Sequence, residues 1–198
     1  QRQMCIRDKD SSIEDNTGGG FNQIVDTELT TWSLTPRANM EWLLNGQDHQ
    51  STIGADLYYA FYNSDRGRNR DEPPIHTYRA RQTTFGLYAQ DNFGLHDKLT
   101  AQVGGRFIWN KFAGGDEFDP NAPGAFGSKR ETTGAVDQNY VYNIGLEYEM
   151  RRTLTAFGRT GRSIRLPTIN ERIASSDGSS FKLKTQISRD VEAGLQYQ

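Results

Sequence analysis

Between Thr30 and Leu44 the even positions read Thr30, Trp32, Leu34, Pro36, Ala38, Met40, Trp42 and Leu44, against Thr31, Ser33, Thr35, Arg37, Asn39 and Glu41. A period of two with one greasy face predicts a β-strand. The same alternation returns at Ile53, Ala55, Leu57, Tyr59 and Phe61, then at Phe85, Leu87, Ala89 and Phe93, and at Ala101, Val103, Phe107 and Trp109. It continues through Tyr140, Tyr142, Ile144, Leu146 and Tyr148, through Leu154, Ala156 and Gly158, and finally through Val191, Ala193, Leu195 and Tyr197. Seven strands follow from the pattern, with an eighth near the start. Pro36 has no N–H to give to a ladder, so a bulge is expected there. The polar stretch 10–23, with Gly18, Gly19 and Gly20, reads as a loop.

The connections sort by length. Asn45-Gly46 has the residues of a tight hairpin turn, and short turns also fall near Leu95 and Arg151. Long polar stretches at 63–79, 113–136 and 163–182 alternate with them. Short turns on one side and long loops on the other predict an all-β fold: an antiparallel, up-and-down transmembrane β-barrel wall, about 7–8 strands of a larger barrel, with periplasmic turns and extracellular loops. Strands of about 14 residues at ~3.3 Å each, tilted ~45°, would rise ~33 Å, enough to cross an apolar band ~25 Å tall. Trp42, Phe93 and Tyr148 precede short turns, and Phe61, Trp109, Phe112 and Tyr140 lie near long loops, as two interfacial girdles would. The outward set is expected to include Trp32, Leu34, Met40, Trp42, Leu57, Phe61, Phe85, Leu87, Val103, Trp109, Tyr142, Ile144, Leu146, Val191 and Leu195.

Composition agrees with a barrel. Hydrophobic residues make up 34% and mean hydropathy is -0.78, low for a soluble core, whereas 11% aromatics is high for a disordered chain. A barrel needs grease only on alternate residues of short segments. Net charge is -2 with both signs dispersed, which gives no nucleic-acid surface. The single Cys5 rules out an internal disulfide. Residues 1–9 read as doubtful sequence or a partial strand, and 10–198 as the wall. Beginning at Gln1 and ending inside an apparent strand, the chain is expected to be a fragment.

Chemical motifs are few. Gly114-Gly115-Asp116-Glu117-Phe118 spells the diguanylate cyclase signature, but its neighbours alternate as strands and lack the α/β context that would give the motif meaning. Asp116, Glu117 and Asp119 read as a solvated acidic loop. His49, His76 and His96 have no metal-ligand spacing, and His76 reads as a solvated loop histidine. Arg37, Arg106 and Arg159 face the lumen on parity. No nucleophile, base and acid can be assembled, so neither an enzyme nor a cofactor is expected.

Arg165-Leu166-Pro167, Glu171, Leu183-Lys184 and Glu192-Ala193-Gly194-Leu195 follow one another in a strand, loop, strand stretch. This order resembles the later barrel of TonB-dependent outer-membrane receptors, with an Arg-x-Pro motif, a following Glu, a Leu-Lys segment and a Glu-x-Gly strand. Thr185-Gln186 stands where many members have Pro-Glu, and Ile164 where an aromatic is common, which points to a subfamily. The resemblance implies a Gram-negative outer membrane and uptake of a large scarce nutrient, foremost a ferric siderophore. It also implies a plug that engages TonB, and lipid and lipopolysaccharide around the wall. A passive porin-like barrel and a soluble all-β binding module are the alternatives. If the ligand is an anionic metal chelate, Arg66, Arg68, Arg70, Arg165 and Arg172 offer planar donors at one shared mouth, and Tyr78 and Phe126 offer apolar contact.

Overall fold

The computed structural model describes residues 6–14, 23–68, 71–122, 132–172 and 183–197. Among the described residues nine strands run in chain order: β1 Ile6–Glu14, β2 Gln23–Leu34, β3 Arg37–Leu44, β4 Gln47–Gly67, β5 His76–His96, β6 Leu99–Phe118, β7 Thr132–Arg151, β8 Leu154–Arg165 and β9 Gln186–Tyr197. A four-residue helix, α1 Ile169–Arg172, lies between β8 and β9. Every pairing is antiparallel and joins neighbours along the sheet, and β2 and β3 both pair with β4. Eight wall positions result, in an open meander from β1 to β9 with no seam between those two among the described residues.

β2 and β3 are one strand interrupted at Thr35-Pro36. The expected bulge is not there: Leu34 faces Leu57 and Arg37 faces Gly54, three residues on each side, so no residue is inserted. Ala55 N–H donates to the Pro36 carbonyl at 3.0 Å, which makes Pro36 half of a hydrogen-bonded pair. Proline cannot return the second bond, so the ladder lapses without losing register. The Asn45-Gly46 turn has φ of 53° and 79°, the left-handed pair a tight hairpin requires.

The strands are longer than the alternation suggests. β4 and β5 have 21 residues each, so 63–67 and 76–79 are strand rather than loop. Likewise β6 runs on to Phe118 and β7 starts at Thr132. Residues 10–14, read as loop, pair with Gln23–Thr27 in β1 and β2. At ~3.3 Å per residue and ~45° tilt, 21 residues rise ~49 Å, about twice the apolar band. The upper part therefore stands clear of the membrane. There the outer face meets water and the inner face meets protein or water, so no lipid face imposes a greasy alternation.

Cross-strand register sorts the faces. Leu34, Leu57, Phe85 and Trp109 form one outward row, and Val103 and Ile144 face each other on another. Twelve of the fifteen residues expected outward are exposed, from Phe61 at 39% to Val191 at 85%. Phe85, Trp109 and Tyr142 are half-buried against neighbouring side chains. Phe112 is a correction: it lies three residues from Trp109, hence on the opposite face, and is fully buried in the lumen rather than in a girdle.

Candidate functional site: the lumen mouth

On the inner face, above the membrane, Tyr62, Tyr78, Ala80, Phe112 and Ile169 form a buried cluster with Leu29 and Ala60 packed against it. Four of the five come from β4, β5 and β6. Ile169 comes from α1, so the chain after β8 folds inward across the wall. Gly114 sits under this cluster because a Cβ there would meet the Phe112 ring at 2.9 Å and the Ala80 Cβ at 3.0 Å. The first glycine of the cyclase-like motif, Gly114, thus has a packing role within β6.

The inward fold has a local cause in sequence. Thr168 N–H donates to Glu171 Oε2 at 2.9 Å and Glu171 N–H donates to Thr168 Oγ1 at 3.3 Å, a reciprocal capping box that starts α1. The Arg165 guanidinium donates to Glu171 Oε1. Backbone N–H donation from Thr168, then the Arg165 bond, holds the Glu171 carboxyl below the usual glutamate range. A carboxyl depressed in the folded state stabilises above its unfolded value and loses that contribution as pH falls through the folded one. The cap should therefore weaken on acidification below the ordinary glutamate range. Replacing Thr168 by Ala should cost about 1 kcal/mol of local stability, measurable as faster amide exchange at Glu171 and Arg172 with unchanged exchange in β5.

Higher on the same face Arg66, His76 and Phe118 share one cross-strand row, and Ser64, Tyr78 and Asp116 share the next. His76 is not solvated: it is 4% exposed, with Nδ1 2.8 Å from Asp116 Oδ2. Its ring stacks between Tyr78 and Phe118, with centroids 5.8 and 5.1 Å away. Asp116 is buried with Oδ1 unpaired, and burial pushes its carboxyl above the usual range while His76 and Arg66 pull it down. The acidic trio is also not one loop. Asp116 points inward, Glu117 is on the opposite face of β6, and Asp119 follows its end.

The structure brings Arg66 and Tyr78 together, with the guanidinium carbon 4.5 Å above the ring. Arg68 is half-buried just beyond β4. Arg70 and Phe126 lie outside the described residues. Arg165 ends β8 on the inner face beside Glu171, its side chain 58% exposed. Arg172 differs from the others in being fully buried, with its guanidinium 3.3 Å from Asp137 and 4.9 Å from the Phe112 ring centre. Its donors are directed at the wall. Pro167 is buried at the inward bend.

Leu183 and Lys184 precede β9, Glu192 pairs with Arg159 across the wall, and Gly194 makes room for the Phe157 ring, which a Cβ there would approach to 2.7 Å. Arg106 likewise pairs within the wall, 2.8 Å from Asp56. His76 and Asp116 are mouth residues that composition and spacing do not bring together. Their signal was the even parity they share with Tyr78 and Phe112.

Comparison with known proteins agrees with this architecture. The family model for the TonB dependent receptor-like beta-barrel matches residues 6–198. Three solved structures share the fold. The ferric citrate transporter FecA in its unliganded form has a TM-score of 0.67 at 12% identity, over 89% of this chain and 26% of that one. The hemophore receptor HasR of Serratia marcescens scores 0.65 at 19%, over 87% and 30%. The copper transporter OprC scores 0.64 at 13%, over 89% and 28%. The chain therefore spans under a third of each. No curated protein sequence matches it. With inward and outward faces, short turns, long strands and a family match over nearly all its residues, the chain belongs to the TonB-dependent receptors, as part of their β-barrel domain.

Proposed function

We propose that this wall serves uptake of an anionic metal chelate, of the ferric siderophore class, across the outer membrane of a Gram-negative bacterium. The observation that supports this reading is the mouth, where Arg66 lies over Tyr78 on the inner face at the loop end of the wall. A planar guanidinium offers bidentate bonds to carboxylate or catecholate oxygens, and the Tyr78 ring beneath it, itself buried, holds it in place. Arg165 adds an exposed donor on the same face. Tyr78 and Arg172, being buried, contribute by shaping the surface that these donors stand on. A plug domain would close the lumen and TonB would supply energy through it. Outside, exposed Arg81 and Lys111 stand just beyond Phe85 and Trp109 on the outer face, where lipopolysaccharide phosphates would meet them.

The test is binding by the full receptor, in membranes, of a panel of ferric chelates, haem and copper. Changing Arg66, Arg68 and Arg70 together to Gln should weaken the chelate it binds by about 100-fold and flatten the salt dependence, as lost charge-assisted bonds would. Unchanged affinity and salt dependence would remove this face of the mouth from ligand capture.

A further inference from the structure

On the opposite, lipid-facing side, near the short turns, the wall carries a polar group that the uptake reading leaves unused. Trp42, His49 and Phe93 form one outward cross-strand row, and Met40, Ser51, Asp91 and Val103 form the next. The His49 ring stacks between Trp42 and Phe93, at 4.5 and 5.0 Å. Trp42 Nε1 donates to Ser51 Oγ at 2.8 Å, Ser51 Oγ donates to Asp91 Oδ1 at 2.7 Å, and His49 Nδ1 lies 2.6 Å from Asp91 Oδ2. Two side chains, Ser51 and His49, thus hold one carboxylate at the lipid surface, 26% exposed, with Trp42 fixing Ser51 and His49 almost covered. The linkage runs through the acid rather than through the imidazole, so it is not a nucleophile-activating arrangement.

Apart from His49, which is a cation only when protonated, Asp91 has no charged neighbour on this face. On the outward positions of β3, on 47–55 of β4, on 87–95 of β5 and on 99–107 of β6 there is no Lys, Arg, Glu or other Asp. An acid in such a wall is costly unless it is paired. Directly above it the wall is recessed: Ala38, Ala55, Ala89 and Gly105 leave two adjoining shallow, open troughs of 670 and 570 Å³ that share Ile53, Ala89 and Gly105, with Arg37 at the upper one, far from the acid. The lower trough ends at Asp91 and is bounded by Trp42 and Phe93. The site is therefore an apolar channel, running along the strands, with an oriented anion at its periplasmic foot.

We propose that this channel binds a phospholipid of the periplasmic leaflet whose headgroup carries a primary ammonium, phosphatidylethanolamine, with an acyl chain in the trough and the ammonium on Asp91. Charge and hydrogen bonding select the headgroup. A primary ammonium brings both a full positive charge and donors for the lone pairs that Ser51 and His49 leave free. A trimethylammonium has charge without donors, and a glycerol headgroup has no cation.

The full receptor, reconstituted with equal amounts of phosphatidylethanolamine, phosphatidylcholine and phosphatidylglycerol, can be examined by native mass spectrometry. One phosphatidylethanolamine should be retained about tenfold over the other two, the scale of one charge-assisted hydrogen bond. Asp91→Asn should erase that preference. Ala89→Leu, which fills the trough but keeps the acid, should lower phosphatidylethanolamine retention about fivefold, as lost apolar burial would, and it decides the matter if Asp91→Asn does not fold. Equal retention of the three lipids, an unchanged preference in Asp91→Asn, unchanged retention in Ala89→Leu, or a lipid-free dimer covering this face would each overturn the proposal.

Discussion

Ile144→Arg should destabilise the membrane-inserted receptor by about 2–4 kcal/mol, the cost of a cation on the lipid face near the bilayer midplane. Ile144 is 44% exposed, faces Val103 on β6 and Thr160 on β8, and stands four residues from Tyr148 of the lower girdle and four from Tyr140 of the upper one. Those distances put it in mid-band, where a guanidinium can neither reach water nor find a counter-charge. Asn143→Arg, one residue away, points into the lumen and over Gly104, so it should cost much less. Urea unfolding of the two variants in lipid vesicles gives the comparison. Equal stabilities would mean that β7 is assigned to the wrong faces.

Phe112→Ala should be the most damaging change in the mouth, at about 3–5 kcal/mol for the buried ring and the void it leaves. The ring closes over Gly114, packs with Tyr62, Tyr78, Ala80 and Ile169, and lies under the Arg172 guanidinium. Losing it removes the floor on which α1 rests. Protease cutting between β8 and β9 should then accelerate while the membrane band stays protected. Unchanged cutting would show that 166–172 is held by its capping box and the Arg172–Asp137 contact alone.

The membrane band was readable in sequence because lipid on one side and a wet lumen on the other force a strict period of two. Leu34, Leu57, Val103 and Ile144 could be placed by counting. The upper strands were not readable for the converse reason. At 63–67 and 113–118 the outer face meets water and the inner face carries polar groups such as Ser64, Arg66 and Asp116, so a strand there has the composition of a loop. Pro36 lacks a donor, but register is a property of the pair, and the facing strand keeps step through Leu57 and Gly54.

Other features of the fold have signals in the sequence. Thr168-Ile169-Asn170-Glu171 has the spacing of a capping box, and it marks where the chain bends inward. Asp91 lies between Ala89 and Phe93 on an otherwise greasy parity, which was enough to place an acid on the outside. His76 and Asp116 could not be joined from sequence. Forty residues separate them, and only the β5–β6 register sets Asp116 opposite Tyr78, one row from His76.

Accessibility along β6 tests the account most directly. Spin labels placed singly at residues 99–118 of the full receptor in lipid bilayers should report oxygen and a water-soluble nickel chelate in alternation. Odd positions from 99 to 109 should favour oxygen and even positions should not, and above Lys111 both parities should lose the oxygen preference while the backbone stays strand-like. A continuous oxygen preference at both parities, or equal chelate access from 99 to 118, would contradict a wall with one lipid face that rises well beyond the membrane.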